Sequence, residues 1–151
     1  MIELADATAT MAAGARLAHA LRPGMVVGLS GELGAGKTTL VRGLLRELGW
    51  TGPVKSPTYG LVEHYELSSL YLYHFDLFRI NDPFEWDNSG FREYLRSDSV
   101  CVIEWPEKLG ERGPGMDLAL RLEISGPGRQ LRAIAMTVQA QAAARILETV
   151  A

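Results

Sequence analysis

A lysine and a threonine directly after a glycine-rich turn can hold a chain of phosphates. This sequence has that arrangement at Gly31-Glu32-Leu33-Gly34-Ala35-Gly36-Lys37-Thr38. The spacing is glycine, four residues, then Gly-Lys-Thr, the pattern of a phosphate-binding loop. Gly34 and Gly36 let the backbone curl so that successive N–H groups point inward, where a β-carbon would block an anion's approach. A helix beginning at the end of the loop adds the partial positive charge of its N-terminus. Lys37 can then reach the β- and γ-phosphates, and the Thr38 hydroxyl can ligate Mg²⁺. Glu32, Leu33, Gly34, Ala35, Gly36, Lys37, Thr38 and the adjoining Thr39 are the candidate nucleotide-binding residues, with Thr38 as a candidate metal ligand. The bland alternative is a glycine turn that merely joins a strand to a helix.

The flanking residues argue against that alternative. Val26-Val27-Gly28-Leu29-Ser30 reads as a short buried strand. Residues 38–48 read as an amphipathic helix, with Leu40, Val41, Leu44, Leu45 and Leu48 along one face and Gly49 as its stop. Further out, residues 2–4 suggest a short strand and 8–21 a helix stopped by Pro23-Gly24. A turn-rich loop covers 50–57, and strands at 61–67 and 70–76 read as an antiparallel hairpin around Ser68-Ser69. Asp82-Pro83 opens an irregular or helical stretch through Leu95. Residues 100–103 form a wholly apolar strand, as expected inside a sheet covered on both faces. Strands at 118–124 and 130–136 flank Gly126-Pro127-Gly128, and Thr137 is placed to cap a last helix with Ala142, Ile146 and Val150 along one stripe. The expected fold is a single α/β domain over residues 1–151: a P-loop NTPase-like, three-layer arrangement of a central mixed β-sheet with helices on both faces. The loop belongs at the carboxyl edge of the sheet.

A phosphate loop needs a second carboxylate to hold Mg²⁺ or position water. Glu104 directly follows the 100–103 strand, and Asp76 ends the run Tyr73-His74-Phe75-Asp76, so both should emerge at that edge. Either is otherwise a solvated acid at a strand end. In Ser56-Pro57-Thr58-Tyr59, Thr58 stands where nucleotide switches carry a threonine that senses the γ-phosphate; a proline-fixed turn fits equally well. Arg79 suits a salt bridge with Asp76 or a phosphate contact. His64 and His74 read as packing residues, and His19 has no paired ligand at metal spacing. Trp86 and Trp105 suit a base, a partner or the core. No Asn-Lys-x-Asp guanine reader occurs, which favours ATP over GTP.

Bulk properties narrow the class. The length of 151 residues suits one domain, and 47% hydrophobic residues suits folding rather than disorder. A net charge of −3 argues against a broad electrostatic grip on nucleic acid. The single cysteine, Cys101, excludes an internal disulfide and a zinc cluster, and its apolar neighbours make it a buried strand residue. Neither a signal peptide pattern nor a membrane-length apolar run is present, so a cytoplasmic location with no membrane contact is expected.

Four segments in order, Gly31–Thr39, Ser56-Pro57-Thr58-Tyr59, His74-Phe75-Asp76-Leu77-Phe78-Arg79 and Ile103-Glu104-Trp105-Pro106-Glu107, resemble the TsaE family of small bacterial ATPases, over about residues 10–132. The resemblance implies ATP and Mg²⁺ as cofactors and partner-dependent hydrolysis. It also implies work with TsaD and TsaB proteins in placing threonylcarbamoyl on adenosine (t6A) of tRNAs that read ANN codons, tRNA being met only through the complex. It further implies Glu104 as the metal-side carboxylate, Asp76 as an aid to metal or water, Thr58 as the switch threonine, Trp105 as site wall or partner surface, and Thr10 and Arg129 near the nucleotide. The segment Phe84-Glu85-Trp86-Asp87-Asn88-Ser89-Gly90 departs from the family's acidic residue followed by Leu-Gly, and no function is carried onto it.

Two other readings share the loop. A small-molecule kinase would need an arginine-rich lid, and no long arginine-rich segment is present. A non-hydrolysing nucleotide sensor would use ATP binding alone to change a partner interaction.

Overall fold

The computed structural model describes residues 1–57 and 61–149. The chain opens with strand β1 (Ile2–Leu4) and helix α1 (Ala7–Ala18), followed by β2 (Val26–Ser30), the glycine loop and α2 (Lys37–Glu47). The hairpin of β3 (Val62–Glu66) and β4 (Tyr71–Asp76) leads to the short helix α3 (Phe84–Asn88), a 3₁₀ turn at Phe91–Tyr94 and β5 (Ser99–Glu104). The 3₁₀ turns of Pro106–Arg112 then precede β6 (Leu118–Ser125), β7 (Gly128–Ala135) and α4 (Gln141–Glu148). Seven strands make one sheet in the order β1-β7-β6-β2-β5-β4-β3. The centre is parallel, β2 pairing with both β5 and β6, and β5 with β4. The outer pairs β1–β7, β6–β7 and β3–β4 are antiparallel. The mixed sheet matches the expectation from sequence.

The covering of the sheet is unequal. On one face Val27, Leu29, Leu72, Val100, Val102 and Leu120 pack with the apolar stripes of α1, α2 and α4. On the other, Val26, Phe75, Cys101 and Ile103 pack with Trp86, Phe91 and Leu109 of α3 and the 3₁₀ turns. Apolar residues at successive positions of β2 and β5 follow directly, because both of their faces are buried. Cys101 is 1% exposed, its Sγ 3.3 Å from the Tyr94 carbonyl, and burial pushes its thiol pKa up to about 12. Among the described residues no helix is long and apolar enough to cross a membrane.

Local chemistry moves several boundaries. The first helix starts at Ala7 because Asp6 caps it, its Oδ1 accepting from the Ala9 N–H at 2.9 Å. It ends at Ala18, ahead of the expected 21. Thr137 does not cap the last helix; its hydroxyl donates to Asp117 Oδ1 at 2.9 Å. The buried stripe there is Ala140, Ala143 and Leu147, one position on from Ala142 and Ile146, while Val150 lies outside the described residues.

Helices α1 and α2 touch backbone to backbone. A β-carbon on Gly14 would lie 2.1 Å from the Leu40 carbonyl oxygen, and one on Gly43 would lie 2.1 Å from that of Met11. This crossing holds the first turns of α1 against the glycine loop, where a β-carbon on Gly36 would sit 3.7 Å from Thr10 Cγ2. Alanine is favoured over glycine in a helix interior by roughly 0.5–1 kcal/mol, but here it must push a whole helix aside. Gly43→Ala is therefore expected to cost about 2 kcal/mol net, or roughly 4–8 °C in Tm by calorimetry. An unchanged Tm would show that α1 can slide without loss.

Candidate functional site

The parallel register of β2, β5 and β4 brings the site residues to one edge. Leu29 pairs with Glu104, and Glu104 pairs with Asp76, so the ends of three strands lie side by side. Each strand then turns at that edge. The Trp105 N–H donates to the Leu29 carbonyl at 3.2 Å and the Leu77 N–H to the Glu104 carbonyl at 3.2 Å.

The loop leaves β2 with Gly34 and Gly36 in the left-handed region, at φ 80° and 103°. Gly31 lies so close to β6 that a β-carbon there would be 2.5 Å from the Leu122 carbonyl oxygen. Arg129 of β7 braces the loop, donating from Nε to the Ala35 carbonyl and from Nη2 to the Gly34 carbonyl, each at 3.0 Å. Lys37 folds back into the loop. Its Nζ donates to the Gly31 carbonyl and to that of Glu32 at 3.2 Å, and stands 4.2 Å from the centre of the Trp105 ring. The residue is 6% exposed. Burial holds its pKa below the ordinary lysine value, while the charges of Glu104, Asp76, Glu107 and Glu32 pull in the opposite direction.

Both carboxylates are buried and oriented. Asp76 accepts from the Ser56 hydroxyl at 3.1 Å through Oδ2 and from the Phe78 N–H at 3.0 Å through Oδ1. Glu104 Oε2 lies 2.5 Å from His74 Nε2. Trp105 takes up a left-handed backbone, φ 59° and ψ 46°, before Pro106, and its ring packs against Phe78 at 5.2 Å. Such a conformation costs a non-glycine residue roughly 1–2 kcal/mol, a strain that clusters at functional sites.

A cavity of about 360 Å³ results, lined by the loop from Leu33 to Thr39, by Ser56, Asp76, Phe78, Glu104 and Trp105. A second cavity of about 170 Å³ adjoins it through Gly34, Gly36 and Thr39, and reaches Asp6, Thr10 and Arg129. Together they offer backbone N–H groups and an ammonium to polyphosphate. The hydroxyl of Thr38 and the two carboxylates are the hard oxygen donors that Mg²⁺ takes.

Of the residues singled out in the sequence, the structure brings together Leu33, Gly34, Ala35, Gly36, Lys37, Thr38, Thr39, Asp76, Glu104 and Trp105 around the first cavity, and Thr10 and Arg129 around the second. Glu32 contributes its carbonyl to Lys37. Thr58 lies outside the described residues. Arg79 is exposed and lines neither cavity. His64 packs as expected, its ring stacked on Tyr73 at 4.8 Å, and His19 pairs with Glu47 at 2.6 Å. His74 does more than pack, since it holds a site carboxylate; its place two residues before Asp76 on the same strand face was the available signal. Phe78 was missed as a wall of the site. The departing segment 84–90 has a packing role: Trp86 is fully buried against Phe75, and Asp87 pairs with Arg92 at 2.8 Å and Arg112 at 2.9 Å.

The profile of the family "Threonylcarbamoyl adenosine biosynthesis protein TsaE" matches residues 4–134. A relative named tRNA threonylcarbamoyladenosine biosynthesis protein TsaE from Haemophilus influenzae is 46% identical over 113 residues, 75% of this chain and 72% of the relative. A protein of the same name from Bacillus subtilis is 38% identical over 105 residues, 70% of this chain and 65% of the relative. The crystal structure of YdiB from Bacillus subtilis superposes with a TM-score of 0.82 at 27% identity, covering 97% of this chain and 92% of that one.

Removing the Lys37 ammonium should weaken ATP binding by at least about tenfold, the equivalent of one charged hydrogen bond. Calorimetric titration of Lys37→Ala measures this directly, and an unchanged affinity would show that the loop does not hold the phosphates. Glu104→Ala should lose Mg²⁺-dependent turnover while keeping most nucleotide affinity; full activity would remove Glu104 from the site.

Proposed function

The chain belongs to the TsaE family, and from that premise we propose that it binds ATP with Mg²⁺ and hydrolyses it slowly, in support of t6A formation on tRNAs that read ANN codons. The observation that carries this reading is the meeting of the Lys37 loop with Glu104 and Asp76 at the ends of adjacent parallel strands. In this reading the loop from Glu32 to Thr39 cradles the phosphates, with Lys37 exchanging its bonds to the Gly31 and Glu32 carbonyls for phosphate oxygens. Thr38 and Glu104 would hold Mg²⁺, which neutralises charge on the β- and γ-phosphates when bound. Asp76, held by Ser56 and the Phe78 N–H, orients a water or supports the metal's hydration shell. Thr58 is proposed as the switch threonine. Trp105 and Phe78 wall the phosphate end, and Thr10 and Arg129 border the cavity for the rest of the nucleotide.

Charge supports the metal requirement. Two buried carboxylates face one ammonium, so a polyphosphate adds negative charge to a site that already carries a surplus of it. In a low-dielectric pocket that repulsion is large, and a divalent cation relieves it.

The proposed partners are TsaD and TsaB proteins, with tRNA met only through their complex; a net charge of −3 gives the chain no broad electrostatic grip on RNA. The proposed location is the cytoplasm.

The test is phosphate release from Mg-ATP by the purified protein, alone and with matching TsaB and TsaD. Slow release that rises when both partners are added is the expected result. Tight ATP binding with no release under either condition would overturn hydrolysis and favour a nucleotide sensor.

A further inference from the structure

His74 stands out as a polar residue in an apolar row. It lies on the face of β4 that carries Leu72, opposite Val102 of β5, and both of those neighbours belong to the core under α1 and α2. Its side chain is fully buried. Nε2 makes its one hydrogen bond, 2.5 Å from Glu104 Oε2, and Nδ1 is buried with no partner among the described residues. An imidazole kept for core stability alone would be expected to satisfy both nitrogens, and an aliphatic side chain would continue the row. Among the described residues its bond goes to a carboxylate of the candidate site.

We propose that His74 is a positioning residue: in the Nε2–H tautomer it donates to Glu104 Oε2 and fixes the carboxylate in the orientation that gives its other oxygen, Oε1, to the cavity. Glu104 lines that cavity with Lys37, Thr38 and Asp76. His74 and Glu104 are diagonal neighbours on one face of a parallel pair, so the backbone ladder sets their separation. Without the ring, Glu104 would have to be held by its own rotamer preference, beside an ammonium that draws it toward Lys37. A ligand held by an outer partner binds metal more tightly because it need not be ordered at the moment of binding. The inference rests on the reading of the site as one for a Mg-nucleotide.

The experiment measures Mn²⁺ affinity by electron paramagnetic resonance with the β,γ-imido analogue of ATP bound. It compares wild type, His74→Leu and His74→Gln; the glutamine amide can donate from near the Nε2 position. Affinity for the same nucleotide in EDTA is measured in parallel. His74→Leu should lose Mn²⁺ affinity by about tenfold or more, the effect of removing an outer-shell partner, with metal-free nucleotide affinity unchanged and with His74→Gln recovering most of the loss. Wild-type Mn²⁺ affinity in His74→Leu, or a His74→Gln as weak as His74→Leu, would overturn the positioning role alone. A wild-type protein that binds the nucleotide but holds Mn²⁺ no better than free nucleotide does would overturn the Mg-nucleotide reading, and this proposal with it. Should neither variant fold, the wild-type ring decides. Long-range ¹H–¹⁵N spectra of the three histidines, assigned with His19→Asn and His64→Asn, should show His74 as the Nε2–H tautomer; the Nδ1–H tautomer would overturn the proposal.

Discussion

The backbone register of β2, β5 and β4 is the constraint from which the rest follows. Hydrogen bonding between parallel strands leaves no freedom in which residues end together, and here Leu29, Glu104 and Asp76 do so. A slip of one residue in β5 would turn Glu104 to the opposite face of the sheet and bury it against Trp86 and Phe91 instead of beside the loop. Glu104 itself opposes that slip, because its carboxylate would be carried into the apolar layer of Trp86 and Phe91. The site is therefore held by the most buried part of the molecule.

A ring of backbone contacts then fixes the loop against this edge. Gly31 abuts the Leu122 carbonyl, Arg129 holds the Gly34 and Ala35 carbonyls, and the Gly14–Gly43 crossing sets α1 beside Gly36. Each contact comes from a different part of the chain, from β6, β7 and α1. The proposed chemistry asks for this, since an anion nest works by presenting N–H groups that are already oriented. The buried Lys37, Asp76 and Glu104 belong to the same design. Each charge is costly to bury alone, and each has an opposite charge or a donor within reach.

Much of this could be read from the sequence. Gly-x-x-x-x-Gly-Lys-Thr between an apolar strand and an amphipathic helix states its own geometry, and the expectation that Glu104 and Asp76 reach the loop's edge came from their positions at strand ends, which lie side by side in the structure. What escaped was tertiary. Gly14 and Gly43 look like ordinary weak points of a helix until the two backbones are seen to touch. Arg129 was named only through the family resemblance, and its bracing of the loop was not foreseen, because it stands 94 and 95 residues from the carbonyls it holds. The buried stripe of the last helix lies one position on from the expected one, and Thr137, whose hydroxyl donates to Asp117 Oδ1, makes no side-chain bond to the helix N-terminus. His74 was legible only in part, since strand alternation set it on the face of Asp76 but could not show that its ring reaches Glu104.

One site shared by the loop and the ends of β5 and β4 should be visible in a crystal structure with Mg²⁺ and the β,γ-imido analogue of ATP bound. The γ-phosphate is expected beside Lys37, with the ion in contact with the Thr38 hydroxyl and within one water of Glu104. A triphosphate bound away from the loop, or an ion with no link to Glu104 or Asp76, would contradict that placement.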